Sequence, residues 1–99
     1  MSKQTFLKED IHIELKKPKM YRVILLNDDY TTQDFVIEVL VVIFHKSVPD
    51  ATKIMLDVHH KGKGIVGLYT YDIALTKVTS VESMAEERGF PLKAVMEEE

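Results

Sequence analysis

No cysteine occurs in the 99 residues, which excludes disulfides and thiolate zinc sites. No apolar run approaches the ~20 residues that a membrane-spanning helix needs. Nor does a charged start followed by an apolar stretch mark a secretory leader, so a cytoplasmic protein is expected. An excess of positive charge is missing too. Thirteen basic residues stand against 16 acidic ones, and the net charge of −3 argues against a nucleic-acid binder held by phosphate neutralisation. The basic cluster Lys16-Lys17-Pro18-Lys19 is too short to reverse that. Internal repeats and low-complexity segments are absent. What is left is an ordinary globular composition, 45% apolar, that fits one domain with one modest core and little room for a separate catalytic domain.

Periodicity and punctuation divide the chain. Residues 1–17 scatter Phe6, Leu7, Ile11, Ile13 and Leu15 among charges and read as a mobile arm, with a transient strand over the alternating positions as the lesser option. Pro18 then punctuates the chain, and a strand is expected over Tyr21 to Leu26. Thr31 is the expected N-cap of a helix running to about His45, with Asp34 in an imperfect capping box. Its apolar residues Phe35, Val36, Val39, Leu40, Ile43 and Phe44 should face the core. Val41 and Val42 make it apolar nearly all round, which implies burial on two sides or one exposed apolar face.

Ser47-Val48-Pro49-Asp50 ends that helix and starts a second, with Ala51, Ile54, Met55, Val58 and His59 on one face and Gly62 and Gly64 punctuating its end. A strand is expected over Ile65 to Thr70, where Gly67 marks a bulge or a close approach. A third helix follows from Tyr71 to Arg88, presenting Ile73, Ala74, Lys77, Val78, Val81, Met84 and Ala85 inward and capped by Gly89. Beyond Pro91 comes a last strand over Leu92 to Met96, then Glu97 to Glu99 as a solvated tail. The order strand-helix-helix-strand-helix-strand implies an α+β architecture with helices gathered on one face of a small sheet.

Two groups of residues carry chemistry. Asn27, Asp28 and Asp29 sit where the first strand runs out, a corner in which binding residues concentrate on a rigid scaffold. They offer an amide and two carboxylates and no nucleophile, which suits capture of a cation. Read alone they equally suit a turn or cap, because Asn and Asp bond their own backbone. A calcium loop counted from Asn27 places Glu38 twelfth but Thr32 where the sixth-place glycine is needed, so it fails. Adjacent Asp28 and Asp29 are also badly placed for paired-carboxylate hydrolysis. In the second group, Met55 and His59 are one helical turn apart with Val58 beside them, a pattern that core packing alone explains. Consecutive His59 and His60 point about 100° apart on a helix and do not chelate one ion.

Met20-Tyr21-Arg22-Val23-Ile24-Leu25-Leu26-Asn27-Asp28-Asp29-Tyr30-Thr31, then Ala51 through Gly64, then Thr76-Lys77-Val78, together resemble the ClpS family, adaptors that hand N-degron substrates to the Clp protease. The likeness spans roughly residues 18–96, leaving 97–99 as an acidic tail. It implies a three-stranded antiparallel sheet packed against three helices, and no catalysis or cofactor. It implies α-amine binding by Asn27, Asp28, Asp29 and His59, where His59 must be neutral to accept from a cation. It further implies a hydrophobic pocket at Thr31, Gln33, Val36, Met55, Val58 and Leu92 for an N-terminal Leu, Phe, Tyr or Trp. Many family members have methionine where this chain has Gln33. Asp72 and Lys77 match a docking surface for the N-terminal domain of a ClpA-type or ClpC-type AAA+ unfoldase, and residues 1–17 match the extension that helps delivery. Partners are thus an unfoldase and N-degron proteins, with no nucleic acid and no membrane, and the adaptor is expected to be a monomer. The alternative is a docking modulator of substrate choice that does not read N-termini.

Overall fold

The computed structural model describes residues 17–99, so the expected arm lies, except for its last residue, outside the described residues. Six elements follow: β1 (Met20–Leu26), α1 (Gln33–Val42), α2 (Val48–Lys61), β2 (Lys63–Thr70), α3 (Tyr71–Arg88) and β3 (Lys93–Glu98). β1 is the middle strand of a three-stranded sheet of order β2-β1-β3, antiparallel on both sides. Its alternation sends Val23 and Leu25 into the core, while Ile24 sits on the opposite face between Ile65 and Val95. The pairing of β1 with β2 slips by one residue, from Val23 opposite Gly67 to Ile24 opposite Ile65. That bulge sits at the expected glycine. A Cβ on Gly67 would also come within 3.1 Å of the Tyr69 hydroxyl, so bulge and close approach occur together.

Each helix packs one apolar stripe onto the inner sheet face or onto its neighbour. α1 buries Phe35, Val36, Val39 and Leu40; α2 buries Ala51, Met55 and Val58; α3 buries Ala74, Val81 and Ala85. The small alanines let α3 lie close to the strands. Ile73, expected to face inward, is 50% exposed, because at 100° per residue it stands well off the line through Ala74, Val81 and Ala85. Val42 is exposed at the end of α1, so the helix that reads as apolar all round keeps a bare apolar end. Arg88 clamps α3 to α1 through a two-pronged pair with Glu38 at 2.6 and 3.2 Å, and its guanidinium lies 5.7 Å from the Phe35 ring centre.

Several boundaries differ from expectation, each for a local reason. The N-cap of α1 is Thr32, whose hydroxyl accepts the Phe35 N–H at 3.2 Å; the Thr31 hydroxyl is engaged elsewhere. α1 stops at Val42, short of His45, because His45 takes the left-handed conformation (φ 56°) and the Lys46 N–H turns back to the Leu40 carbonyl at 3.1 Å. α2 has Ser47 as N-cap and left-handed Gly62 as its end. α3 closes on Gly89, with the Gly89 and Phe90 N–H groups returning to the carbonyls of Glu86 and Ala85, a Schellman arrangement. β3 begins at Lys93 and includes Glu97 and Glu98, expected as tail, since they pair with Arg22 and Tyr21 of β1.

Candidate functional site

Where β1 ends, the backbone turns sharply and Asp28 holds the turn. Its Oδ1 accepts from the N–H groups of Tyr30 (2.8 Å) and Thr31 (2.6 Å), and its Oδ2 accepts from the Thr31 hydroxyl (2.7 Å). Partial burial pushes the Asp28 carboxyl up, but the Thr31 hydroxyl and the N–H groups of Thr31 and Tyr30 outweigh it and hold it below the usual carboxylate range. The turn therefore prefers the carboxylate. Its contribution to stability is present above the ordinary Asp range and fades as pH falls through the lowered value. The Asn27 N–H donates to the Gly62 carbonyl at 2.9 Å, which ties the end of β1 to the end of α2.

That tie brings the two sequence groups together around one open cavity of about 380 Å³. Asn27, Asp28, Asp29 and His59 form a polar rim. Val36 from α1 and Met55 and Val58 from α2 supply apolar wall, and Thr31, Thr32 and Gln33 complete the lining. Met55 and Val58 are buried, whereas Asn27, Asp29 and His59 are exposed and so reachable by a ligand. One side of the cavity thus offers acceptors and negative charge, and the adjoining side offers hydrocarbon. Such a surface fits a ligand with an ammonium next to a bulky apolar group.

Two positions correct the expectations. Leu92 is buried in the core as Met55 and Val58 are, but unlike them it is not among the residues lining the cavity. Thr32 does line it, and the sequence signal for that is its N-cap role, which places it at the first turn of α1 beside Gln33. Asp72 and Lys77 lie on α3, outside the cavity lining. Asp72 is exposed in the first turn. The Lys77 ammonium is taken up within the chain, donating to the Ile43 carbonyl at 2.6 Å and standing 5.9 Å from the centre of the Phe44 ring. The His59 and His60 rings touch edge to face at 5.1 Å. Among the described residues, no group of three or more His, Cys, Asp or Glu is placed to hold a metal ion, and no helix is long and apolar enough to cross a membrane.

Comparison with known proteins gives a consistent result. The family model described as ATP-dependent Clp protease adaptor protein ClpS matches residues 16–95. The ATP-dependent Clp protease adapter protein ClpS of Acetivibrio thermocellus is 65% identical over 99 residues, covering the whole of both chains. Its counterpart in Wolinella succinogenes is 53% identical over 95 residues, 96% of this chain and 91% of that one. Among solved structures, that of Agrobacterium tumefaciens ClpS2 bound to L-phenylalaninamide superposes with a TM-score of 0.81 at 40% identity, covering 84% of this chain and all of the other.

Proposed function

The chain belongs to the ClpS family of Clp protease adaptors, and from that premise we propose that it captures proteins by a free α-amine and a bulky hydrophobic N-terminal side chain and delivers them for degradation. The observation that carries this reading is the cavity in which an acceptor rim adjoins an apolar wall. A peptide α-amine has a pKa near ~8, so at neutral pH it is mostly a cation with three donors. Asn27, Asp28, Asp29 and His59 surround its place, with the two aspartates supplying opposite charge. The first side chain, Leu, Phe, Tyr or Trp, then lies against Val36, Met55 and Val58, and the thioether of Met55 adapts to branched and aromatic shapes alike. L-phenylalaninamide, the ligand of the Agrobacterium relative, has the same two features, a free amine and a benzyl group on one carbon.

The energetics are compatible with that division of labour. Burying about 120 Å² of ligand apolar surface contributes roughly 3 kcal/mol, so the charge-assisted hydrogen bonds must supply much of what a micromolar affinity of about −8 kcal/mol requires. The role is binding and transfer, with no bond made or broken by the adaptor itself. Asp72 on the exposed start of α3 is the proposed contact with the N-terminal domain of a ClpA-type or ClpC-type unfoldase. Lys77 shapes the same surface through its hold on Ile43. The protein acts as a cytoplasmic monomer in this scheme.

The test is a titration of a labelled Phe-starting peptide against its N-acetylated twin. Acetylation removes the charge and leaves the acceptors partly unpaired, and a loss of several kcal/mol is expected. Equal binding of the free and acetylated peptides would defeat the proposal.

A further inference from the structure

Of the residues on the polar rim, Asp28 is the one whose oxygens are already in use. Three hydrogen bonds, two to Oδ1 and one to Oδ2, take three of the roughly four acceptor directions a carboxylate has. Two of the three come from Thr31, one from its N–H and one from its hydroxyl. Thr31 itself lines the cavity. On a β-branched side chain the hydroxyl and the methyl share Cβ, so fixing the direction of one fixes the other. The Asp28 carboxylate therefore sets which part of Thr31 the cavity presents.

Resting on the reading that this cavity takes an N-terminal amine and its side chain, we propose that Asp28 is a positioning residue for side-chain selection: it locks Thr31 and so shapes the pocket, while Asn27, Asp29 and His59 meet the amine. The distinction has a measurable signature. Every N-terminal residue brings the same ammonium, so a carboxylate that only attracts the amine changes all affinities by one factor. A carboxylate that shapes the pocket changes the ratios between ligands.

The experiment measures dissociation constants for peptides that differ only in a first residue of Phe, Leu or Ile, with the full chain. In Asp28→Asn the amide oxygen still accepts both N–H bonds and the amide nitrogen can donate to the Thr31 oxygen. Charge is lost and the lock is kept, so all three affinities should fall by a common factor of a few-fold with their ratios unchanged. Asp28→Ala removes the lock and should shift the Phe-to-Ile ratio on the order of tenfold, the discrimination that one methyl group in an apolar pocket provides. Thr31→Val keeps the shape but cannot donate, and it should shift the ratio in the same direction. It also serves as the test if Asp28→Ala does not fold, which thermal unfolding checks. Constant ratios in Thr31→Val and in a folded Asp28→Ala, or an altered ratio in Asp28→Asn, overturn the positioning role while leaving N-terminal recognition standing. Lack of any preference for the free amine in the unaltered protein overturns both.

Discussion

At the mouth of the cavity Gln33 stands in the first turn of α1, exposed, at a position where the family resemblance places methionine in many members. A methionine there supplies hydrocarbon contact and bulk. Glutamine has similar length but a polar end that prefers water, so the mouth should be wider and its grip on the ligand weaker by about 1 kcal/mol. Gln33→Met is expected to tighten a Phe-starting peptide by about fivefold and to widen the gap between Leu and Ile ligands, since added bulk penalises branching at Cβ. Isothermal titration with the three peptides checks it. Unchanged affinity together with an unchanged Leu-to-Ile ratio would show that Gln33 does not touch the bound side chain. The residues of this site differed in how readable they were. Asn27, Asp28 and Asp29 announce a corner, but the same three residues suit a bare turn, and the structure shows Asp28 making that turn while its neighbours stay open. Met55 and Val58 read as core and are indeed buried; only the gap left beside them by α1 makes them pocket wall.

At the level of elements, the helix ends carry the clearest stability argument. α2 and α3 close on Gly62 and Gly89 at φ 86° and 75°, a conformation that glycine adopts without a steric penalty. α1 reaches the same left-handed geometry with His45 at φ 56°. An L-residue with a Cβ pays about 1–2 kcal/mol there. His45→Gly should therefore stabilise the fold by about 0.5–1 kcal/mol after the extra freedom of glycine in the unfolded chain is subtracted. That corresponds to a rise in Tm of roughly 2–8 °C for a domain of this size. Gly89→Ala should act in the opposite sense even though no atom lies within 4 Å of where its Cβ would stand. Differential scanning calorimetry of both variants decides the point. A His45→Gly protein no more stable than the parent would mean that the imidazole makes compensating contacts. The end of α1 is also held from outside, by the Lys77 ammonium on the Ile43 carbonyl, a contact that links α3 to α1 across 34 positions of sequence.

Taken whole, the molecule places its proposed recognition cavity on one part of the fold and the proposed docking residue Asp72 on another helix, outside the cavity lining. Among the described residues the cavity lining starts at Asn27, and β1 begins at Met20. Removing residues 1–17 is expected to leave peptide affinity within about twofold of the full chain, since none of the proposed amine-binding or pocket residues belongs to that segment of the sequence. Degradation of an N-degron reporter by a reconstituted Clp unfoldase and peptidase should fall sharply. If the truncated protein delivers as well as the full chain, the segment has no part in transfer.

Much of this architecture is already written in local sequence. Strand and helix types follow from periods of two and 3.6, and the ends of α2 and α3 follow from Ser47, Gly62 and Gly89, because caps and turns are decided by atoms within about five residues of one another. Tertiary structure alone decided the rest. Glu97 and Glu98 join a strand because β1 offers them a partner, and no property of three consecutive glutamates predicts pairing with Arg22 and Tyr21. Leu92 went to the core and Thr32 to the cavity because the packing of α1 and α2 against the end of β1 determines where a gap remains. Lys77 gains its partner only because the fold brings the Ile43 carbonyl, freed where α1 stops, within reach of its ammonium. In each case the deciding partner is distant in sequence, and only the folded chain holds the two at contact distance.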